Sequence, residues 1–258
     1  MPPAIPSGMS GILLRATAAL GWLLLPVLVI QGLWLRRTVP RLGEAGGPLE
    51  GETAGEAPPL RLLLLGESTV AGVGASNHDE GLVGRIAASL SEHSGRAIRW
   101  RVMGRNGLTA RQLRTELVVP ATGLEADLAV IALGVNDSVR LNRPGRWRRE
   151  LEQLIRELRT RCGNIPVFLA ALPPMGDFPA LPQPVRWVLG TRARLLDRAS
   201  RELAASTDNL FHVPLPAQLE GHISEYFAED GFHPSPAGYR VWGKGLAERI
   251  SEVMRSGR

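Results

Sequence analysis

The stretch Leu62-Leu63-Leu64-Leu65-Gly66-Glu67-Ser68-Thr69 runs an apolar segment into a serine. A serine hydroxyl is a weak nucleophile until a neighbouring base accepts its proton. The far end of the chain supplies such a base in Asp230-Gly231-Phe232-His233-Pro234-Ser235. Imidazole titrates near neutral pH, and a carboxylate three residues earlier can hold it in one tautomer. Acyl transfer also needs hydrogen-bond donors aimed at the developing oxyanion. Three suit that role: the Asn136 side-chain amide in Gly134-Val135-Asn136-Asp137, the Gly107 N–H in Gly104-Arg105-Asn106-Gly107-Leu108-Thr109, and the N–H of Ser68. At Gly107 the missing Cβ lets the backbone come close to a substrate. Taken singly, each has an ordinary reading. Ser68 suits a turn, Asn136-Asp137 is a common turn pair, and Asp230 and His233 suit the cap of a final helix. Their joint occurrence is the signal.

The elements that would position these residues follow from apolar patterning. Short apolar runs at Leu60–Gly66, Ala97–Met103, Asp127–Leu133, Ile165–Leu172 and Leu210–Val213 read as strands. Helical spacing joins Trp147, Leu151, Leu154, Ile155 and Leu158. It also joins Val185, Val188, Leu189, Leu195, Leu196 and Leu203, and then Tyr239, Trp242, Leu246, Ile250 and Val253. Thr109 with Gln112 has the form of a capping box, and Ser235-Pro236 that of an N-cap with proline in the first turn. Alternating β and α predicts a parallel sheet with helices on both faces, whose ligands bind at the carboxyl ends of the strands. Ser68, Gly107 and Asn136 each follow a predicted strand.

These four blocks resemble the SGNH, or GDSL-type, hydrolases, named for Ser, Gly, Asn and His in four successive motifs. The matching positions are Ser68, Gly107, Asn136 and His233, with Asp230 completing a triad. The G-x-N-D and D-x-x-H-P elements are the most specific, and the resemblance covers about residues 60 to 250. It implies a flavodoxin-like three-layer α/β/α sandwich on a five-stranded parallel sheet, with ester hydrolysis through an acyl-enzyme. It implies that Ser68, Asp230 and His233 do the chemistry, with Ser68, Gly107 and Asn136 as the oxyanion hole. Glu67 departs from the family, which usually has Asp there, and no chemistry is expected of it. Gly104 rivals Gly107 in the second block; Gly107 is preferred because it directly precedes the x-Thr that opens a helix.

Other features narrow the function. The 258 residues carry a net charge of +5, almost all of the positive charge being arginine. The charges are scattered, and no recognition motif points to nucleic acid. Arg140, Arg143, Arg146, Arg148 and Arg149 cluster after the Asn136 loop and read as a solvated helix face rather than an anion site. Cys162 stands alone, so no internal disulfide forms. His78, His93, His212 and His222 have no ligand spacing and read as surface or loop residues; no metal and no cofactor are expected. Gly72-Val73-Gly74 follows a strand but lacks the further glycine of a dinucleotide fingerprint. The absent G-x-S-x-G argues against the α/β-hydrolase class. Phe178–Trp187 is apolar and proline-rich, and is expected as an acyl-binding wall, a membrane-facing lip or a packed loop.

Residues 16–35 carry no charge and have about the length of a transmembrane helix, so a single N-terminal membrane anchor within segment 1–37 is expected. The flanking arginines set its orientation only weakly. Residues 38–59, rich in Gly, Pro, Glu and Ala, read as a flexible linker to a hydrolase domain over 60–258. The expected activity is that of a serine esterase on lipid, lysophospholipid or small acyl esters. An O-acetyl esterase or acyltransferase of cell-surface carbohydrate is the nearest alternative, and a silent membrane-tethered binding protein the alternative of another class. Oligomeric state is not set by the sequence.

Overall fold

The computed structural model describes residues 26–219 and 223–256. The described part opens with helix α1 over 26–38 and then a short strand β1 (Glu50–Glu52). Alternation follows: β2 (Glu56–Gly66), α2 (Leu82–Ser94), β3 (Arg96–Gly104), α3 (Ala110–Gln112) running into a π-helical turn Leu113–Val118, and β4 (Leu128–Ala132). The second half holds α4 (Val135–Val139), α5 (Pro144–Cys162), β5 (Val167–Ala170), α6 (Val185–Ala205), β6 (Leu210–Val213) and α7 (Pro236–Ser256).

All five expected strands are present and mutually parallel, in the order β3-β2-β4-β5-β6. Numbered by their own succession this is 2-1-3-4-5, the flavodoxin-like order, whose ligand crevice lies where the winding reverses, between β2 and β4. The four leucines explain why β2 is central. Leu63 and Leu65 face the layer of α3, α5 and α6, while Leu62 and Leu64 face α2 and α7. Successive side chains of a strand point to opposite faces, so a strand covered on both sides is apolar throughout. The buried stripe of α5 is Trp147, Leu151, Leu154, Ile155 and Leu158, as the spacing predicts. The Trp147 indole N–H donates to Ser200 Oγ at 2.9 Å, so its polar edge is satisfied inside the core. On α6, Val185, Leu196 and Leu203 are buried, but Leu195 turns to solvent.

The sheet has a sixth strand that the sequence does not announce. β1 pairs antiparallel with the outer edge of β3, Gly51 opposite Trp100. The segment 38–59 is therefore not a free linker. The Ala45 N–H donates to Ala71 O at 2.9 Å, the Asn106 N–H to Glu44 Oε1 at 2.6 Å and the Val102 N–H to Leu49 O at 2.7 Å. Backbone hydrogen bonds to an open sheet edge need no side-chain periodicity, which is why composition alone reads this stretch as coil.

No helix among the described residues is long and apolar enough to cross a membrane. Residues 16–25 of the expected anchor lie outside the described part of the chain; the remainder forms α1. This helix rests on the domain through Leu28 and Leu35, which pack against the core layer of α5 and α6. Gln31, the polar residue in the apolar run, donates through Nε2 to Gln183 O at 2.6 Å and accepts the Val185 N–H at Oε1, 3.3 Å. That N–H belongs to the first turn of α6, where no intrahelical acceptor exists.

Candidate active site

The loops at the carboxyl ends of β2, β3 and β4 converge with the loop before α7. The turn after β2 puts Ser68 at the switch crevice, almost fully buried, and its carbonyl accepts the Val73 N–H at 3.0 Å. Two contacts lock this turn to the His233 loop. The Tyr239 hydroxyl, on α7, donates to Val73 O at 2.6 Å. At Gly74, with φ +94, a Cβ would lie 2.3 Å from Pro234 O. Gly74 thus permits a close backbone approach between the serine and histidine loops, while Gly72 leaves room for Ala45, which accounts for Gly72-Val73-Gly74 without a bound phosphate.

The Asp230 and His233 pair forms as expected. His233 Nδ1 and Asp230 Oδ2 are 2.6 Å apart, and Asp230 Oδ1 accepts the N–H groups of Phe232 and His233, each at 2.9 Å. Burial pushes the Asp230 carboxyl up, but the hydrogen bonds from the His233 side chain and from the two N–H groups outweigh it and hold it below the ordinary range. With the carboxylate on Nδ1, Nε2 is left to face a substrate or Ser68. Phe232 fixes the loop by packing edge-on against Phe178, 5.0 Å between centroids. Ser68 and His233 line one small apolar cavity of about 60 Å³. Among the described residues no hydrogen bond joins Ser68 Oγ to His233; such bonds commonly close only with substrate in place.

The donor side is more elaborate than the sequence suggests. Gly107 has φ +83, a left-handed conformation that suits glycine, and a Cβ there would meet open space. Among the described residues the N–H groups of Ser68 and Gly107 make no hydrogen bond within the chain, and so remain open to a ligand. The amide of Asn136 is engaged. Its Nδ2 donates to Glu67 Oε2 and, at 3.2 Å, to Leu108 O. The Glu67 carboxylate also accepts the N–H groups of Val135 at 2.8 Å and Asn136 at 2.9 Å. Glu67 is the functional-site residue that sequence reasoning missed: it is the clamp on the Asn136 loop. Its one sequence signal was its place beside Ser68. Burial drives its carboxyl up to about 7, against the hydrogen bonds from Asn136 and Val135. Asp137 plays the matching part on the other side, accepting the Ala110 N–H at 3.0 Å and Asn142 Nδ2 at 2.6 Å. The capping box of Thr109 and Gln112 then starts α3 beside Gly107.

Other expectations divide. His78 lies in a loop, as expected, but is buried there, 6.2 Å from the Trp100 ring, and burial lowers its basicity. His212 pairs with Asp197 at 2.8 Å and ties β6 to α6, away from the serine. His93 closes α2, and His222 lies outside the described residues. Among the described residues no His, Cys, Asp and Glu group has the arrangement to hold a metal. Of Phe178–Trp187, Phe178, Leu181 and Val185 are buried, whereas Trp187 points to solvent and lines neither space at the site. A second, larger groove, about 780 Å³, opens from Asn136, Asp230 and His233 and is walled on one side by α1.

Comparison with known proteins agrees with this architecture. The sequence model of the GDSL-like lipase/acylhydrolase family matches residues 64–241. A GDSL-like esterase of Mycobacterium tuberculosis is 30% identical over 206 residues, covering 76% of this chain but only 63% of that protein's length. The lipase/acylhydrolase of Enterococcus faecalis is 24% identical, with a TM-score of 0.57 over 75% of this chain and 96% of its own. The psychrotrophic esterase EstA of Pseudoalteromonas sp. is 16% identical, with a TM-score of 0.59 over 76% and 98%. These structures share the fold. By the family match over most of its sheet and site, the chain belongs to the GDSL-like lipase/acylhydrolase family.

Proposed function

We propose that the chain is a serine ester hydrolase working through an acyl-enzyme. The supporting observation is the Asp230–His233 pair, 2.6 Å apart, whose histidine lines one apolar cavity with Ser68 at the switch crevice of the sheet. Ser68 Oγ attacks the ester carbonyl carbon while His233 Nε2 takes its proton. Asp230 holds the imidazole by Nδ1 and stabilises it once charged. The oxyanion is received by the N–H groups of Ser68 and Gly107 and by one hydrogen of Asn136 Nδ2. The other hydrogen stays anchored on Glu67, and the long contact to Leu108 O is the one given up. The imidazolium then protonates the leaving alcohol, and the carbon–oxygen bond breaks. Water, deprotonated by the same imidazole, attacks the acyl-enzyme; Ser68 recovers its proton and the acid departs. No metal or cofactor takes part in this scheme.

The test is hydrolysis of p-nitrophenyl acetate, butyrate and decanoate by the purified chain and by Ser68→Ala. Hydrolysis that disappears in the variant supports the reading; equal rates in both chains would defeat it. We further propose that the apolar run 16–35 holds the domain at a membrane, the outer face of α1 (Ile30, Leu33, Trp34) being exposed and apolar. The full chain then sediments with membranes and resists a salt wash; recovery in the soluble fraction would refute the anchor.

A further inference from the structure

We propose that α1 is a wall of the substrate site, and that the groove between α1 and α6 receives the long acyl chain of the ester. The inference rests on the serine-hydrolase reading and adds the substrate class. Three observations carry it.

First, the groove is lined mostly by apolar side chains and reaches the polar groups of the site, with Arg36, Arg41 and Asn106 also on its walls. Asn136, Asp230 and His233 stand at its mouth, while Val29, Gly32 and Leu35 on one side face Leu181, Val188 and Leu189 on the other. An ester with its carbonyl at Asn136 can lay its chain along the apolar residues of α1. Its volume, about 780 Å³, is within the ordinary range for sites that enclose a small organic molecule, roughly 300–1,000 Å³. The inner cavity beside Ser68, about 60 Å³, holds no more than a very short group. The two spaces meet at His233, which lines both.

Second, α1 is fastened where a wall is needed. Gln31 bonds both Gln183 O and the Val185 N–H, and Leu28 and Leu35 pack on the core. Gln31, Leu28 and Leu35 hold the helix against the domain, and Val29 and Gly32 beside them line the gap. Third, the one helical position in α1 without a side chain faces this gap. Gly32 lines the groove, and a Cβ built on it meets nothing within 4 Å. Glycine in a helix interior is disfavoured against alanine. Here no close contact demands it, and open space is what it provides.

Gly32→Trp therefore plugs the groove without a clash at its own backbone. Its kcat/KM on p-nitrophenyl decanoate, divided by that on the acetate, is expected to fall by about tenfold or more, the worth of about two methylenes no longer buried. A ratio equal to that of the unsubstituted chain would overturn the proposal. Titration calorimetry with decanoate separates it from the hydrolase reading. The Ser68→Ala chain should bind decanoate, and Ser68→Ala with Gly32→Trp should bind it at least about tenfold more weakly, whether or not any ester is turned over. Equal binding by the two chains would overturn it. Loss of all ester hydrolysis together with intact, Gly32-sensitive binding would sink the hydrolase reading and leave the groove standing.

Discussion

Glu67→Gln removes a charge and keeps the shape, so it isolates what the clamp on Asn136 contributes. The carboxylate accepts three N–H groups, from Val135, Asn136 and the Asn136 side chain. Glutamine has one acceptor oxygen and turns a donor amide towards at least one of those groups. A buried donor left unpaired costs about 1–3 kcal/mol. If that cost appears as a displaced Asn136, kcat falls by about fivefold to a hundredfold. Removal of the donor itself sets the ceiling: Asn136→Ala loses about 10²–10³ in kcat. Because Glu67 acts only through Asn136, the double variant should be no slower than Asn136→Ala alone. The assay is kcat on p-nitrophenyl acetate for the four chains. Losses that multiply would refute the clamp, since they would mean that Glu67 acts on the reaction by a separate route.

The same residue carries a signed pH prediction. Its carboxyl, raised from 4.5 to about 7, keeps a proton in the folded chain at pH values where the unfolded chain has lost it. The folded state then binds more protons, so the unfolding free energy declines as pH rises through that window. The full difference is ~3 kcal/mol. In urea titrations at several pH values, the difference in stability between the parent chain and Glu67→Gln should change across pH 4.5 to 7, in favour of the variant as pH rises. A difference that is flat across the window would show that Glu67 does not titrate there.

Asp230→Asn leaves the loop in place but loses the acceptor that fixes the His233 tautomer, so kcat should fall by about 10⁴-fold; a loss under tenfold, read by the same ester assay, would remove Asp230 from the mechanism. Tyr239→Phe strips the hydroxyl from a buried Val73 carbonyl and should lower the unfolding free energy by about 1–3 kcal/mol in urea. An unchanged urea midpoint would mean that Val73 finds another donor.

The sequence makes the centre of the molecule legible because there chemistry and periodicity are both local. Ser68, Gly107 and Asn136 each stand a few residues past an apolar run, and the rule that ligands gather at strand carboxyl ends converts three separate loops into one crevice. The stripe of α5 is equally plain, since one face of a single helix meets one core. What escaped reading depends on long-range pairing. β1 forms because the edge of β3 offers unpaired backbone groups, which any extended segment can meet. His78 is buried by the fold around it, with no mark in its neighbours. Glu67 looked like a neutral variant of aspartate because the consequence of its extra methylene, contact with a loop 68 and 69 residues away, exists only once β2 and β4 lie side by side.

Helix α1 is the sharpest instance of that limit, and it alters how the N-terminal segment is understood. An uncharged run of helix length satisfies every rule for a membrane span, and those rules contain no term for a surface elsewhere in the chain. Gln31 is the residue at which the two readings part. In a bilayer its amide would need partners from another helix or would cost free energy. On this domain it satisfies the first turn of α6 and a carbonyl of the preceding loop. The exposed side of the same helix is apolar at Ile30, Leu33 and Trp34 and charged at Arg36 and Arg37. The membrane attachment proposed above would use that outer face, since the inner one is committed to the domain.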